Sequence, residues 1–194
     1  MTRQHLAIPF LVLTLTLISG IFVRAGSPAE SAAAPSKADA IARGKYLVAF
    51  GSCNDCHTPW KLGPKGPEPD MTRALTGHPA DVKVSPAPTL EGSWGLAASA
   101  TMTAWTGPWG VSFPANLTPD KETGLGDWTE EMFIATMRTG RHQGKGRALL
   151  PPMPYFSVAA LSDEDIKAVF AYLQSLPPVH NRVPVPVDPE EPGQ

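Results

Sequence analysis

The most constraining stretch of the 194-residue chain is Cys53-Asn54-Asp55-Cys56-His57, a C-x-x-C-H run that holds the only two cysteines present. Two thiols three positions apart share one helical turn, and the imidazole that follows can swing under a flat ligand fixed between them. This is the attachment pattern of a c-type haem: each thiol adds across a vinyl group to form a thioether, and the histidine ligates iron from one face. A covalent haem is a large, flat, mostly apolar disc, so the rest of the chain has to build a crevice and supply a second axial position. Other paired-cysteine chemistries fit less well. A thioredoxin-type redox pair follows a strand and opens a helix within βαβ units, whereas the residues before Cys53 carry a helical pattern. A structural zinc site normally takes four protein ligands, and there is no second cysteine pair. A disulfide across two residues would leave His57 without a role.

The N-terminus points to export. Arg3 and His5 give a weakly positive start, Leu6 to Val23 is an uncharged apolar run, and Val23-Arg24-Ala25 suits a signal peptidase. Residues 1–25 are therefore expected to be a signal peptide. The competing reading is an uncleaved anchor, because the run is just long enough to span a bilayer. Either way the globular part is exported, most simply to a bacterial periplasm, and membrane contact is expected only if the segment is retained. The formal net charge of −2 leaves no footprint for nucleic acid.

Residues 26–37 are small, polar and interrupted by proline, and read as a linker. A helix is expected from about residue 38, with Ile41, Gly44 and Val48 on one face; Gly44 either lets another helix approach or is simply tolerated. Residues 58–115 form an insertion with nine prolines and seven glycines, too many for long helices. It is expected to be irregular, with a short helix near Met71–Leu75 and a hairpin across Thr106–Trp109. Trp94, Trp105 and Trp109 add apolar bulk. A helix over Thr129–Thr139 is expected from its Thr129 cap, acidic first turn and Gly140 stop, with Phe133 and Met137 facing the core. The last helix starts at Ser162-Asp163-Glu164-Asp165, carries an Ile166, Val169, Phe170, Leu173 stripe and stops at Pro177-Pro178. The tail from 181 to 194 is expected to be extended and mobile.

The distal ligand is sought among methionines and histidines. Met153, in Leu150-Pro151-Pro152-Met153-Pro154, sits in a loop whose prolines restrict the backbone, and its thioether is a soft ligand that favours reduced iron. The plainer alternative is a gap-filling methionine in a core turn. His78 is the best histidine alternative. Met132 and Met137 are expected in the core, Met71 and Met102 in the insertion, and His142 and His180 in solvent. Arg138, Arg141, Lys145 and Arg147 precede the Met153 loop, as a solvated face or as a patch for haem propionates or an acidic partner.

Four stretches, Arg43–Val48 leading into CNDCH, Asn116–Asp120 with Gly124–Trp128, LPPMPYF, and DEDIKAVFAYLQSLPPV, together resemble class I c-type cytochromes. The middle and last are similar to domains of the cytochrome subunits that accept electrons from alcohol, aldehyde and gluconate dehydrogenases. The resemblance implies a mainly α fold over residues 38–180, elaborated by the 58–115 insertion. It implies thioethers at Cys53 and Cys56, His57 as proximal and Met153 as distal ligand, and a crossing of the first and last helices with Gly44 near Phe170 or Tyr172. The implied protein is not an enzyme but a periplasmic one-electron carrier with a single covalent haem c. It would take electrons from a dehydrogenase and pass them to a cytochrome or oxidase of the respiratory chain. A haem enzyme or gas sensor with an open iron position is the alternative. The chain departs from those subunits in having one haem motif where they commonly have several.

Overall fold

The computed structural model describes residues 36–84 and 86–189. The expected export segment and the linker up to residue 35 lie outside the described residues. Five α-helices and two small antiparallel sheets make up the regular structure among them.

Helix α1 (Lys37–Phe50) takes in the last residue of the expected linker, because Ser36 and Asp39 form a capping box. The Ser36 hydroxyl donates to the Asp39 carboxylate at 2.7 Å, and the Asp39 N–H donates back to the Ser36 oxygen at 3.2 Å. Helix α5 (Asp163–Gln174) is capped by Ser162, whose oxygen accepts from the Asp165 N–H at 3.2 Å. Gly44 on α1 resolves in favour of close approach. A Cβ there would lie 1.9 Å from the Ala168 carbonyl oxygen and 2.8 Å from Tyr172 Cβ, so α5 packs directly on the α1 backbone. Leu47 and Val48 then meet Ile166, Val169, Phe170 and Leu173 in one core. Fully burying each such side chain stabilises by about 1.5–3 kcal/mol, which makes this helix pair the main source of cohesion.

Helix α3 (Glu130–Thr139) closes the core with Phe133, whose ring lies 5.2 Å from that of Phe170, and with Met137. Thr129 caps it by accepting from the Met132 N–H at 3.2 Å. Gly140 ends it in the left-handed region at φ 64°, a conformation that suits glycine. Met132, expected in the core, is 38% exposed. The sequence pattern misses the short α4 (Tyr155–Ala159), which starts directly after the proline-flanked loop.

The insertion is more ordered than its composition suggests. It opens with a hairpin where loop was expected: β1 (Trp60–Gly63) pairs with β2 (Gly66–Pro69). Met71–Arg73 is one 3₁₀ turn rather than a helix to Leu75; Ala74, at ψ 128°, already ends it, and Leu75 follows at φ 61°. A second sheet holds β3 (Ala97–Ala98), β4 (Trp105–Gly107) and β5 (Gly110–Ser112) in that order, with Pro108 and Trp109 forming the β4–β5 turn. Trp94 is 76% exposed and fills no core.

The tail to Pro189 is extended, as expected, and is fastened to the rest of the structure. Val111 and Val187 exchange both backbone hydrogen bonds, at 2.8 and 2.9 Å. Asn181 donates from Nδ2 to the Thr76 and His78 carbonyls at 2.7 and 2.9 Å and accepts from the Ala80 N–H at 3.0 Å. Proline removes donors from this segment, so docking rests on Val187, on the Asn181 N–H, which donates to the Thr123 hydroxyl oxygen at 3.0 Å, and on the Asn181 side-chain amide, a role that proline content does not reveal. Asn181→Ala is expected to lower the unfolding free energy by about 2 kcal/mol, since it strands backbone groups that have no other partner among the described residues. Urea denaturation measures it.

Several carboxylates are held below their usual range by hydrogen bonds: Asp39 by the Ser36 hydroxyl, Asp70 by Thr72 and then Lys61, Asp120 by Thr123, and Asp165 by Arg43. Arg43 reaches from α1 to α5, with Nε and Nη2 at 2.8 and 3.0 Å from the two Asp165 oxygens. A lowered folded value means that the unfolded chain binds protons more readily. The stabilisation is therefore full above the ordinary carboxylate value of about 3.9 and is lost as pH falls through the folded values. The urea midpoint should drop steeply below about pH 4, and an Asp70→Asn/Asp120→Asn double variant should show a shallower drop from a lower starting point.

Candidate haem-attachment site

The CNDCH residues form a separate single-turn helix, α2 (Cys53–His57). Helix α1 ends at Phe50, and Ser52 in the left-handed region (φ 54°, ψ 32°) redirects the chain into the new turn. Thr58, fully buried, locks the turn to the insertion. Its hydroxyl donates to Asn54 Oδ1 at 2.7 Å and accepts from the Leu75 N–H at 2.9 Å. The Trp60 indole N–H donates to the Asp55 carbonyl at 3.0 Å, and the Gly77 N–H to the His57 carbonyl at 2.8 Å.

Cys53 and Cys56 are half-buried and not joined as a disulfide. Burial pushes the Cys53 thiol up to about 11 and raises Cys56 as well. Redox-active cysteine pairs show the opposite shift, and thiolate metal ligation would need deprotonation. Among the described residues no cluster of three or more His, Cys, Asp or Glu could hold a bare metal ion.

His57 is buried, and burial lowers its pKa, against the raising effect of a hydrogen bond to Ala115. Nδ1 lies 2.8 Å from the Ala115 carbonyl oxygen, so the N–H sits on Nδ1 and Nε2 keeps a free lone pair, the form a metal-ligating imidazole takes. The chain just after the motif, at Gly63-Pro64, does not supply this carbonyl and lies in and after β1. The actual partner comes from the far end of the insertion, 58 residues on. The two unjoined thiols and the oriented imidazole fit a haem held by two thioethers and one histidine.

Met153 is partly buried and packs on the core cluster that Cys53 also touches, which places the methionine loop and the CNDCH turn on one core. Its N–H donates to the Leu150 carbonyl at 3.2 Å, and its own carbonyl accepts from the Tyr155 N–H at 2.9 Å. The Ser112 hydroxyl donates to the Pro151 carbonyl at 2.6 Å. Neither Ala115 nor Ser112 is a candidate at the level of sequence, since one acts through its backbone and the other is a single serine in a strand.

His78 is removed as a rival ligand. It is fully buried, and both ring nitrogens are occupied, Nδ1 with the Thr103 hydroxyl and Nε2 with the Val82 carbonyl, each at 3.0 Å. His142 is half-buried, edge-on to Trp128 with ring centres 5.0 Å apart, where solvent was expected; His180 is exposed. The basic cluster divides. Arg138 is tied to the Ala159 and Leu161 carbonyls and to Asp163 and so clamps α3 to the start of α5, whereas Arg141 and Arg147 bond only to nearby carbonyls of their own turn.

Comparison with known proteins gives the same direction. The chain is 32% identical over 144 residues to a nicotinate dehydrogenase subunit of Pseudomonas putida, a match that covers 74% of this chain and 9% of that protein. It is 31% identical over 162 residues to the fructose dehydrogenase cytochrome subunit of Gluconobacter japonicus, covering 84% and 26%. It is 31% identical over 132 residues to the gluconate 2-dehydrogenase cytochrome c subunit of Pantoea cypripedii, covering 68% and 22%. The chain thus spans about a quarter or less of these relatives' lengths. The family model described as Cytochrome c matches residues 41–177, from α1 past the end of α5 and across both CNDCH and the Met153 loop. The chain belongs to the cytochrome c family.

Proposed function

We propose that this chain is an exported, periplasmic one-electron carrier with a single covalent haem c, bound by Cys53 and Cys56 and ligated by His57 and Met153. The observation that carries the reading is the pairing of a buried, Ala115-oriented His57 on CNDCH with a methionine loop on the same core as Cys53. When bound, the haem iron supplies the redox chemistry by alternating between ferric and ferrous states. The chain's own residues do the rest. Cys53 and Cys56 retain the group in an exported protein, Ala115 fixes the His57 ring, and the apolar core around Leu47, Phe133 and Phe170 lowers the local dielectric. A thioether at Met153 would close the sixth position to oxygen and favour the reduced state.

The three relatives are named as parts of dehydrogenases, which supports a dehydrogenase as electron donor; the acceptor would be a cytochrome or oxidase. The test is a redox titration of the matured full chain together with its intact mass. One covalent haem per chain and a single one-electron wave are expected. Two waves, or a haem released by acid–acetone extraction, would overturn the reading.

A further inference from the structure

The methionine loop has an unusual shortage of backbone donors. In Leu150-Pro151-Pro152-Met153-Pro154 only Leu150 and Met153 carry an N–H. The Met153 N–H is spent on the Leu150 carbonyl, so the loop cannot satisfy the Pro151 carbonyl from within. The donor comes from the insertion. Ser112, on β5 and 7% exposed, reaches the Pro151 oxygen at 2.6 Å, within the short range of O–H···O bonds. A hydroxyl has one proton. The Trp105 carbonyl, at 3.4 Å, is the only other acceptor in reach among the described residues and loses to Pro151 on distance. The Trp109 indole N–H donates to the same Ser112 oxygen at 3.3 Å, which occupies a lone pair and turns the proton toward Pro151. Three residues further along the chain, the Ala115 carbonyl accepts from His57. One short run of the insertion therefore touches both segments that face the iron.

We propose that Ser112, oriented by Trp109, is a positioning residue for Met153, so that the insertion's β4–β5 hairpin holds the methionine loop in its ligating position. This rests on the reading of Met153 as distal ligand. Without the Ser112 hydroxyl the Pro151 carbonyl is better satisfied by water, and the loop gains a favourable way to swing away. A serine that only fills its place in the sheet would, on removal, lower global stability but leave competition at the iron unchanged.

The test uses the matured full-length ferric protein, with imidazole as a probe that must displace Met153. The wild type should show the weak far-red thioether-to-iron charge-transfer band. Ser112→Ala should bind imidazole roughly five- to tenfold more tightly, the size of one buried hydrogen bond, and should have a lower midpoint potential. Ser112→Thr should restore both. Trp109→Phe, which keeps the hydroxyl and removes its indole donor, should bind imidazole more tightly by a smaller factor and serves if Ser112→Ala does not fold. A wild-type band together with unchanged imidazole affinity in whichever variant folds would overturn this inference alone. A wild type with no such band would overturn the Met153 reading and this inference with it.

Discussion

Replacing Gly44 by alanine is expected to cost about 3 kcal/mol, at the upper end of what overpacking does in a close-packed interior. The added Cβ would meet the Ala168 carbonyl oxygen at 1.9 Å and its carbonyl carbon at 2.5 Å. Both belong to the backbone of α5, so no rotamer change relieves the contact and the helices must separate. Removing a helical glycine gains at most about 1 kcal/mol, which the clash outweighs. Separation would loosen Leu47 and Val48 from Ile166 and Phe170, and α1 leads directly into the CNDCH turn. Urea denaturation of the matured protein measures the loss, with Lys45→Ala on the exposed side of α1 as a control expected to change little. A Gly44→Ala variant as stable as wild type would mean that α1 and α5 do not cross as described.

Met153→Ala should have the largest effect on chemistry. If Met153 is the distal ligand, losing its thioether would open the sixth position, so the ferrous protein should bind carbon monoxide and the far-red ferric band should vanish. The midpoint potential should fall by on the order of 100 mV, since each tenfold of lost preference for ferrous iron is about 59 mV for one electron. Met153 also packs on the core, so alanine leaves a cavity as well, with a stability loss of about 2–3 kcal/mol. Met153→Leu separates the two effects. It keeps the volume at a cost under about 1.5 kcal/mol but has no sulfur, and should reproduce the carbon monoxide binding while largely preserving stability. If Met153→Leu keeps the wild-type spectrum, the methionine is a core filler.

Local rules are enough where local chemistry decides. The Thr129 and Ser162 caps, the acidic first turns and the left-handed Gly140 stop all follow from side chains within four residues of the backbone groups they serve. The Phe170 stripe is legible because helical spacing puts it on one face, whereas spacing leaves Gly44 open and the helix crossing is what the resemblance to class I cytochromes implies. What cannot be read depends on contacts distant in sequence. The carbonyl that orients His57 belongs to Ala115 because the insertion leaves and returns beside the haem-binding turn, and a backbone acceptor has no residue signature. His78 has the pattern of a spare ligand, yet Thr103 and Val82 occupy both of its ring nitrogens. The proline-rich tail has the composition of a mobile one. Nothing in it announces that Val187 will pair with Val111, or that the Asn181 side chain will find Thr76, His78 and Ala80, which lie 101 to 105 residues earlier.

If His57 and Met153 close both faces of one haem, the ferrous iron has no position left for a diatomic ligand. The most direct measurement is the absorption spectrum of the ferrous wild-type protein, recorded before and after carbon monoxide is added at neutral pH. A six-coordinate low-spin spectrum that carbon monoxide leaves unchanged is the expected result. Rapid formation of a carbon monoxide adduct would contradict it, and would turn the site from a closed electron carrier into one with an open iron position.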